Sequence, residues 1–290
     1  MAKQVTAAQL QAMQQLSLTM YEKFAEFCDR HSLQYFVIGG GLIGALRHGG
    51  FIPWDDDLDV FMPRADYERF GKLWRSDPKA PYKYVRTGKN LVTGDLMAKL
   101  CDESTTLVTT YQQDVEMPQG FTFDILPIDG CPQPGSARRK EQKALALVYS
   151  LYNSQTIPKN HGKLKALASQ ALLSLVPGKG QRYGLWRYCE KRMSRWPIAA
   201  SSYITELCAG PKYMQNEYPA EWFASSVMLP FENTHIRVPV GYRDYLSMAF
   251  GNWRELPPKD KQKPPHDVAF IDLDTPYSEY MVDGRLVLPA

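Results

Sequence analysis

The chain has 290 residues, 44% of them hydrophobic and 22% charged, with a net charge of +3. That is enough apolar content to bury one large core or two small ones, and it excludes wholesale disorder. Five scattered cysteines (Cys28, Cys101, Cys131, Cys189 and Cys208) with no CxxC pair exclude a disulfide framework and a cysteine zinc site, and fit a reducing cytoplasm. The N-terminus does not read as a signal peptide, and no apolar run reaches the ~18 residues of a membrane span.

In chain order, Thr6-Ala7-Ala8-Gln9 has the form of a capping box. Leu10, Met13, Met20, Phe24 and Phe27 follow at helical spacing, to about His31. Tyr35–Ile38 is a short buried strand by length and residue type. Gly39-Gly40-Gly41 reads as a tight turn, and Leu42–His48 as a short helix leaving it. Next comes Trp54-Asp55-Asp56-Asp57-Leu58-Asp59-Val60, read as a strand, then a helix over Arg64–Arg75. Tyr82–Arg86, Leu96–Cys101 and Thr106–Thr109 are strand-like, as is Phe121–Leu126, which Pro127 is expected to end. Ala144–Tyr152 and Leu164–Val176 are helical by composition, and Gly251 stops a helix over Tyr242–Phe250. This is an α/β chain, a mixed sheet with flanking helices. It divides at 1–132 (catalytic core), 133–215 (basic helical insertion) and 216–290 (a segment packing back on the core and completing the site).

Residues 136–195 hold thirteen Lys or Arg against two Glu, a net +11 that leaves −8 for the rest. Such asymmetry suggests an anionic partner: a membrane surface carrying a glycolipid, or an anionic oligosaccharide. A solvated helical face is the plain alternative. Nucleic acid is disfavoured, since no RNA-binding or zinc-finger signature is present.

The acidic segment carries the chemistry. Side chains alternate along a strand, so Asp55, Asp57 and Asp59 share one face. Three like charges there call for a cation, and hard carboxylate oxygens suit Mg2+ or Mn2+. Glycines just upstream let backbone approach a phosphate. The pattern therefore indicates metal-dependent chemistry on a phosphate ester, with an exposed, solvated acidic turn as the plain alternative. Asp55 is either a ligand or a group orienting Arg47 or a water, while Asp56 should face the other way in a structural position. Arg47 suits a diphosphate clamp through its planar fork, or pairs with Asp56. Trp54 stacks on a base, cages a quaternary ammonium or packs in the core. Lys99 neutralises a phosphate or is solvated, His48 is solvated or capping, and His266 is placed for a phosphate or acceptor contact. Gly39, Gly40 and Gly41 cradle phosphate or simply turn the chain.

The Gly39–Gly41, Asp57/Asp59 and Asp124 pattern resembles the nucleotidyltransferase fold, in which carboxylates on neighbouring strands hold one or two metals. More narrowly, Gly40 through Phe70 (GGLIGALRHGGFIPWDDDLDVFMPRADYERF) resembles the LicD family of phosphocholine and related phosphoryl-group transferases, which includes the fukutin-related glycan phosphotransferases. Phe121–Asp129 (FTFDILPID) is similar to that family's third-carboxylate strand. Phe231-Glu232, Pro239, Tyr245-Leu246, Phe250-Gly251-Asn252-Trp253, Pro257-Pro258 and His266 are similar to its C-terminal signature. Phe250 stands where the family often has Tyr, and Thr122 where an apolar residue is more usual. The resemblance implies a CDP-activated donor such as CDP-choline and a sugar hydroxyl of a cell-surface glycan or glycolipid, including lipopolysaccharide, as acceptor. It also implies Mg2+ (or Mn2+) on Asp57 and Asp59, Asp124 as base or ligand, and release of CMP. The expected place is cytoplasmic, with peripheral contact at the inner face of the membrane through 136–195. The alternatives are a nucleotidyltransferase that releases pyrophosphate from an NTP, and a silent binding module, against which the intact carboxylates argue.

Overall fold

Thr6 opens the first helix, α1 (Ala7–Arg30): its hydroxyl accepts the Gln9 N–H at 3.2 Å, and the Gln9 side chain accepts the Thr6 N–H at 3.0 Å. The structure, a computed structural model, describes residues 5–113, 115–154, 171, 173–176, 178–264, 266–283 and 285–289. The other helices are α2 (Gly39–His48), α3 (Arg64–Ser76), α4 (Ala137–Ser154), α5 (Lys179–Met193) and α6 (Tyr242–Phe250). The strands are β1 (Phe36–Val37), β2 (Asp59–Pro63), β3 (Lys83–Val85), β4 (Ala98–Asp102), β5 (Thr106–Thr109), β6 (Phe121–Cys131), β7 (Tyr203–Thr205), β8 (Tyr218–Pro219), β9 (Ser226–Phe231), β10 (Thr234–Pro239), β11 (Val268–Asp272), β12 (Met281–Val282) and β13 (Arg285–Leu286). The fold is mixed α/β. The helix expected over Leu164–Val176 falls mostly outside the described residues.

The main sheet runs β1-β2-β6-β4-β3, with β7 pairing β6 and β8 pairing β7. Among the described residues only β2 and β6 pair in parallel; their neighbours are antiparallel. The β6 strand continues through Pro127 instead of ending there. Its partner β4 stops at Ala98, opposite Ile125, and β7 begins opposite Asp129. Pro127 thus sits in the gap between the two antiparallel partners on one edge, while on the other it keeps register with Met62 of β2.

One face of the sheet is covered by α1 and α3. Phe24 meets Phe123 at 5.2 Å and Phe70 at 5.2 Å, and Phe27 meets Trp74 at 4.7 Å. These rings are fully enclosed, and tilted pairs at such spacings add to their burial. The helical pair α4 and α5 leaves after β6 and returns at β7, with its own apolar cluster around Tyr149, Trp186 and Met193. It is tied to the sheet by charge. Arg64 makes a two-pronged bond to Asp129 (2.8 and 2.7 Å), and Arg64, Arg86 and Arg187 all converge on the buried carboxylate of Glu190. Of the basic residues between 136 and 195, Arg139 is itself buried and bonded to Glu217, while Arg192 and Arg195 reach Glu141. Glu141 is already counted in the +11, and Glu217, shared by Arg139 and Lys143, answers one unit of it from outside the segment. Lys159, Lys163 and Lys165 lie outside the described residues. From residue 226 the chain packs back on the core through the β9–β10 hairpin and through β11, which pairs with β5. Among the described residues no helix is long and apolar enough to cross a membrane.

Candidate active site

The parallel register of β2 and β6 puts Asp59 directly beside Asp124, and the antiparallel register of β4 puts Lys99 on the other side of Asp124. Upstream of Asp59 the chain is extended but not yet a strand; β2 begins at Asp59 itself. Three bonds hold this extended segment. The Asp55 N–H donates to the Ile52 carbonyl (2.9 Å), the Gln14 amide donates to the Asp55 carbonyl (2.7 Å), and the Leu58 N–H donates to the Ser17 hydroxyl (2.9 Å). With Leu58 fully buried, Asp55, Asp57 and Asp59 alternate onto one side. They line a cavity of about 280 Å³ with Asp124, His266, Gly40 and Gly41.

The glycines do not form a free turn. They are the first turn of α2, entered through Gly39 at φ +56°. A β-carbon on Gly40 would lie 1.9 Å from Oδ2 of Asp55, and one on Gly41 would lie 2.4 Å from Leu58. Small residues are needed because the helix start is pressed onto the acidic segment, and Gly40 and Gly41 line the cavity.

Charge repulsion is built in. Burial first, and then Asp56, push the Asp55 carboxyl up to about 7. Burial and then Asp124 push Asp59 to about 7 as well, and burial, Asp59 and Asp56 raise Asp57 well above the carboxylate range. Two cations answer part of this. Lys99 is buried, 3.4 Å from both Asp124 and Asp95; burial works against its charge, but the two carboxylates outweigh it and hold the ammonium on. His266 arrives from the loop before β11. Its Nδ1 is 3.0 and 3.1 Å from the oxygens of Asp56, and its Nε2 is 3.9 Å from Asp57. The Asp56 bond lifts the imidazole to about 10, so it is protonated at neutral pH. Carboxylates still outnumber cations in the enclosure. An excess of hard, buried oxygen donors that resist ionisation together fits a divalent cation of the Mg2+ or Mn2+ type.

Several expected positions differ in detail. Asp56 was expected to face away as a structural residue. It is buried, but its carboxylate holds His266, which the loop before β11 brings against it. Arg47 reaches neither Asp56 nor the cavity lining. Its Nη1 donates to the carbonyls of Trp253 (3.1 Å) and Glu255 (3.0 Å), fastening α2 to the C-terminal segment. Trp54 is half-buried against the core and 6.5 Å from the His48 ring. The reading of Lys99 as a solvated residue is excluded by its burial.

Sequence reasoning missed the Asp56–His266 pair, which spans 210 positions and leaves no local signal. It also missed Asp95, whose spacing four residues before Lys99 could have been noticed.

The sequence model described as "LicD/FKTN/FKRP, nucleotidyltransferase domain" matches residues 32–97, the span holding the glycine helix start and Asp55, Asp57 and Asp59. A lipopolysaccharide cholinephosphotransferase LicD of Haemophilus influenzae is 29% identical to the chain over 264 residues, 89% of this chain and 96% of that protein. Over most of its length the chain thus resembles the LicD family. An uncharacterized protein of Rickettsia typhi is 34% identical over 70 residues, 24% of this chain and 23% of that protein. Another, of Rickettsia prowazekii, is 42% identical over 41 residues, 14% of this chain and 15% of that protein. Asp124 and His266 lie outside the span matched by the LicD family model, yet they share the cavity with the three acids inside it.

Proposed function

We propose that this chain is a phosphotransferase that moves phosphocholine from CDP-choline to a sugar hydroxyl of a lipopolysaccharide or related surface glycan, releasing CMP. The observation that carries the reading is the convergence of Asp55, Asp57, Asp59 and Asp124 on one cavity, with Asp59 and Asp124 side by side on parallel strands. The likeness to the Haemophilus influenzae cholinephosphotransferase supports the transferred group and the acceptor class. Asp57, Asp59 and Asp124, with Asp55, would hold Mg2+ or Mn2+, which when bound neutralises charge developing on the transferring phosphoryl group.

The remaining steps fall to the chain's own residues. The N–H groups at the start of α2 face the diphosphate. His266, kept protonated by Asp56, brings a cation toward the phosphate oxygens. Asp124, paired with Lys99, takes the proton of the acceptor hydroxyl. The acceptor oxygen then bonds to the phosphorus that carries choline, and the bond from that phosphorus to the CMP oxygen breaks. The reaction is read as cytoplasmic, with the basic surface of 136–195 turned to an anionic membrane or acceptor.

The test is CMP release from a panel of CDP-linked donors with Mg2+, comparing wild type with Asp59→Asn. Release from CDP-choline alone, lost in the variant, is the expected result. Silence across the panel, with pyrophosphate released from an NTP, would replace this reading with nucleotidyl transfer.

A further inference from the structure

We propose that a second cavity, of about 660 Å³ and adjoining the carboxylate site, binds the acceptor saccharide and is built for an uncharged sugar ring; this rests on the transferase reading above. The cavity falls in the ~300–1,000 Å³ range of small-molecule sites. Met117, Pro118 and Gln119 line it on one side and, on the other, line the space where Asp57, Lys99, Asp124 and His266 meet. The two spaces therefore share a wall.

That wall is braced toward the chemistry. The Gln119 side-chain amide donates to the carbonyls of Gln112 (3.0 Å) and Val115 (3.1 Å), and the Gln119 main-chain carbonyl accepts the Leu107 N–H at 2.7 Å. Gln112 donates in turn to Asp95 (2.9 Å), Asp95 pairs with Lys99 (3.4 Å), and Lys99 pairs with Asp124 (3.4 Å). A ring resting on this wall is thereby held at a fixed offset from the residue that takes its proton.

The lining decides what kind of ligand fits. Tyr277 offers an aromatic face and Gln113 a carboxamide, with Leu91, Val115 and Met281 as apolar lining, a combination suited to the C–H faces and hydroxyls of a pyranose. Its charges cancel. Lys83 is paired with Glu103 at 2.9 Å, which also accepts the Tyr277 hydroxyl at 3.0 Å, and the remaining charged lining residues, Arg285 and Glu116, are of opposite sign. A nucleoside diphosphate would find no net positive field there, so the cavity suits acceptor and not donor.

The experiment uses the full chain, CDP-choline with Mg2+, and the core oligosaccharide freed from lipopolysaccharide by mild acid. Tyr277→Ala and Gln113→Ala should each raise the acceptor KM about tenfold, the loss of one good contact, while the donor KM stays within about twofold. Tyr277→Phe keeps the ring and should restore the acceptor KM. Saturation-transfer NMR with the same oligosaccharide reads binding without turnover, and its signal should fall in Tyr277→Ala at unchanged Tm. An unchanged acceptor KM in both alanine variants overturns the proposal, and so does a rise in donor KM instead. If wild type turns over no donor, the transferase reading fails by itself. The cavity assignment then stands on the NMR signal being lost in Tyr277→Ala, and falls if wild type and variant give the same signal or none.

Discussion

Gly40→Ala tests whether Asp55 belongs to the catalytic cluster. In an ordinary helix position, replacing glycine by alanine stabilises by roughly 0.5–1 kcal/mol. Here the new β-carbon would sit 1.9 Å from Oδ2 of Asp55 and 3.0 Å from its Cγ, closer than such contacts occur. The Asp55 backbone cannot yield easily, since its N–H is bound to Ile52 and its carbonyl to Gln14. The carboxylate must therefore rotate away by roughly an ångström, and a displacement of that size at a reacting centre costs about 10²-fold in rate. Mg2+ tolerates little departure from octahedral geometry, so the metal concentration for half-maximal rate should rise as well. The assay is CMP release against Mg2+ concentration, alongside a thermal melt. The expected result is kcat/KM down about a hundredfold, a higher Mg2+ concentration for half-maximal rate and a Tm near wild type. A variant that keeps kcat/KM and Mg2+ half-saturation within about twofold would show that Asp55 neither binds metal nor needs its present position.

Asp59→Asn should lower kcat by about 10²-fold or more and abolish Mn2+ binding measured by calorimetry; normal Mn2+ uptake would remove Asp59 from the ligand set. Lys99→Met leaves Asp124 and Asp95 buried without their shared cation, a loss of about 3–5 kcal/mol in urea unfolding, and a change under about 1 kcal/mol would contradict the role given to that pair. Glu206 is enclosed and accepts from Tyr218 and Asn216; burial pushes its carboxyl from 4.5 up to about 7. The folded state thus holds a proton that the unfolded state releases, so this stability is complete below about pH 4.5 and is lost as pH rises through about 7, of the order of 3 kcal/mol in all. Glu206→Gln should flatten the decline of Tm between about pH 5 and 8, and an unchanged slope would refute the shift. Glu232, at φ +50°, accepts the Phe51 N–H at 2.9 Å and donates its own to Gly49 at 2.8 Å. Glu232→Ala should lose about 1–3 kcal/mol in denaturant unfolding, since Phe51 forfeits its acceptor while the backbone strain remains.

What the chain announced locally, it announced well. The capping box at Thr6, the helix stop at Gly251 and the strand at Thr106–Thr109 all depend on neighbours in sequence, and each stands where expected. The acids 55, 57 and 59 could be placed on one side because a period of two survives even in an extended segment that is not a strand. Other features depended on partners that spacing does not reveal. Pro127 looked like an end because its neighbours' registers were invisible, and Arg47 looked like a phosphate clamp because the carbonyls of Trp253 and Glu255 lie more than 200 residues away. The burial of Lys99 follows from strand order, which no local pattern carries.

The late arrival of His266 has a consequence for how the molecule comes into being. Asp56 meets His266 across 210 positions, Arg47 meets Glu255 across 208, and the Tyr21 hydroxyl accepts the Arg237 N–H across 216. During synthesis the glycine helix and its acids leave the ribosome long before the residues that brace them. Contacts of such separation make folding slow, so the carboxylate cluster should form only after translation has passed His266. Until then the nascent chain carries an acidic, open pocket with no bracing cation from the C-terminal side. A ribosome-stalled chain ending before residue 266 should accordingly remain protease-sensitive between residues 49 and 58, and one extended past β11 should not.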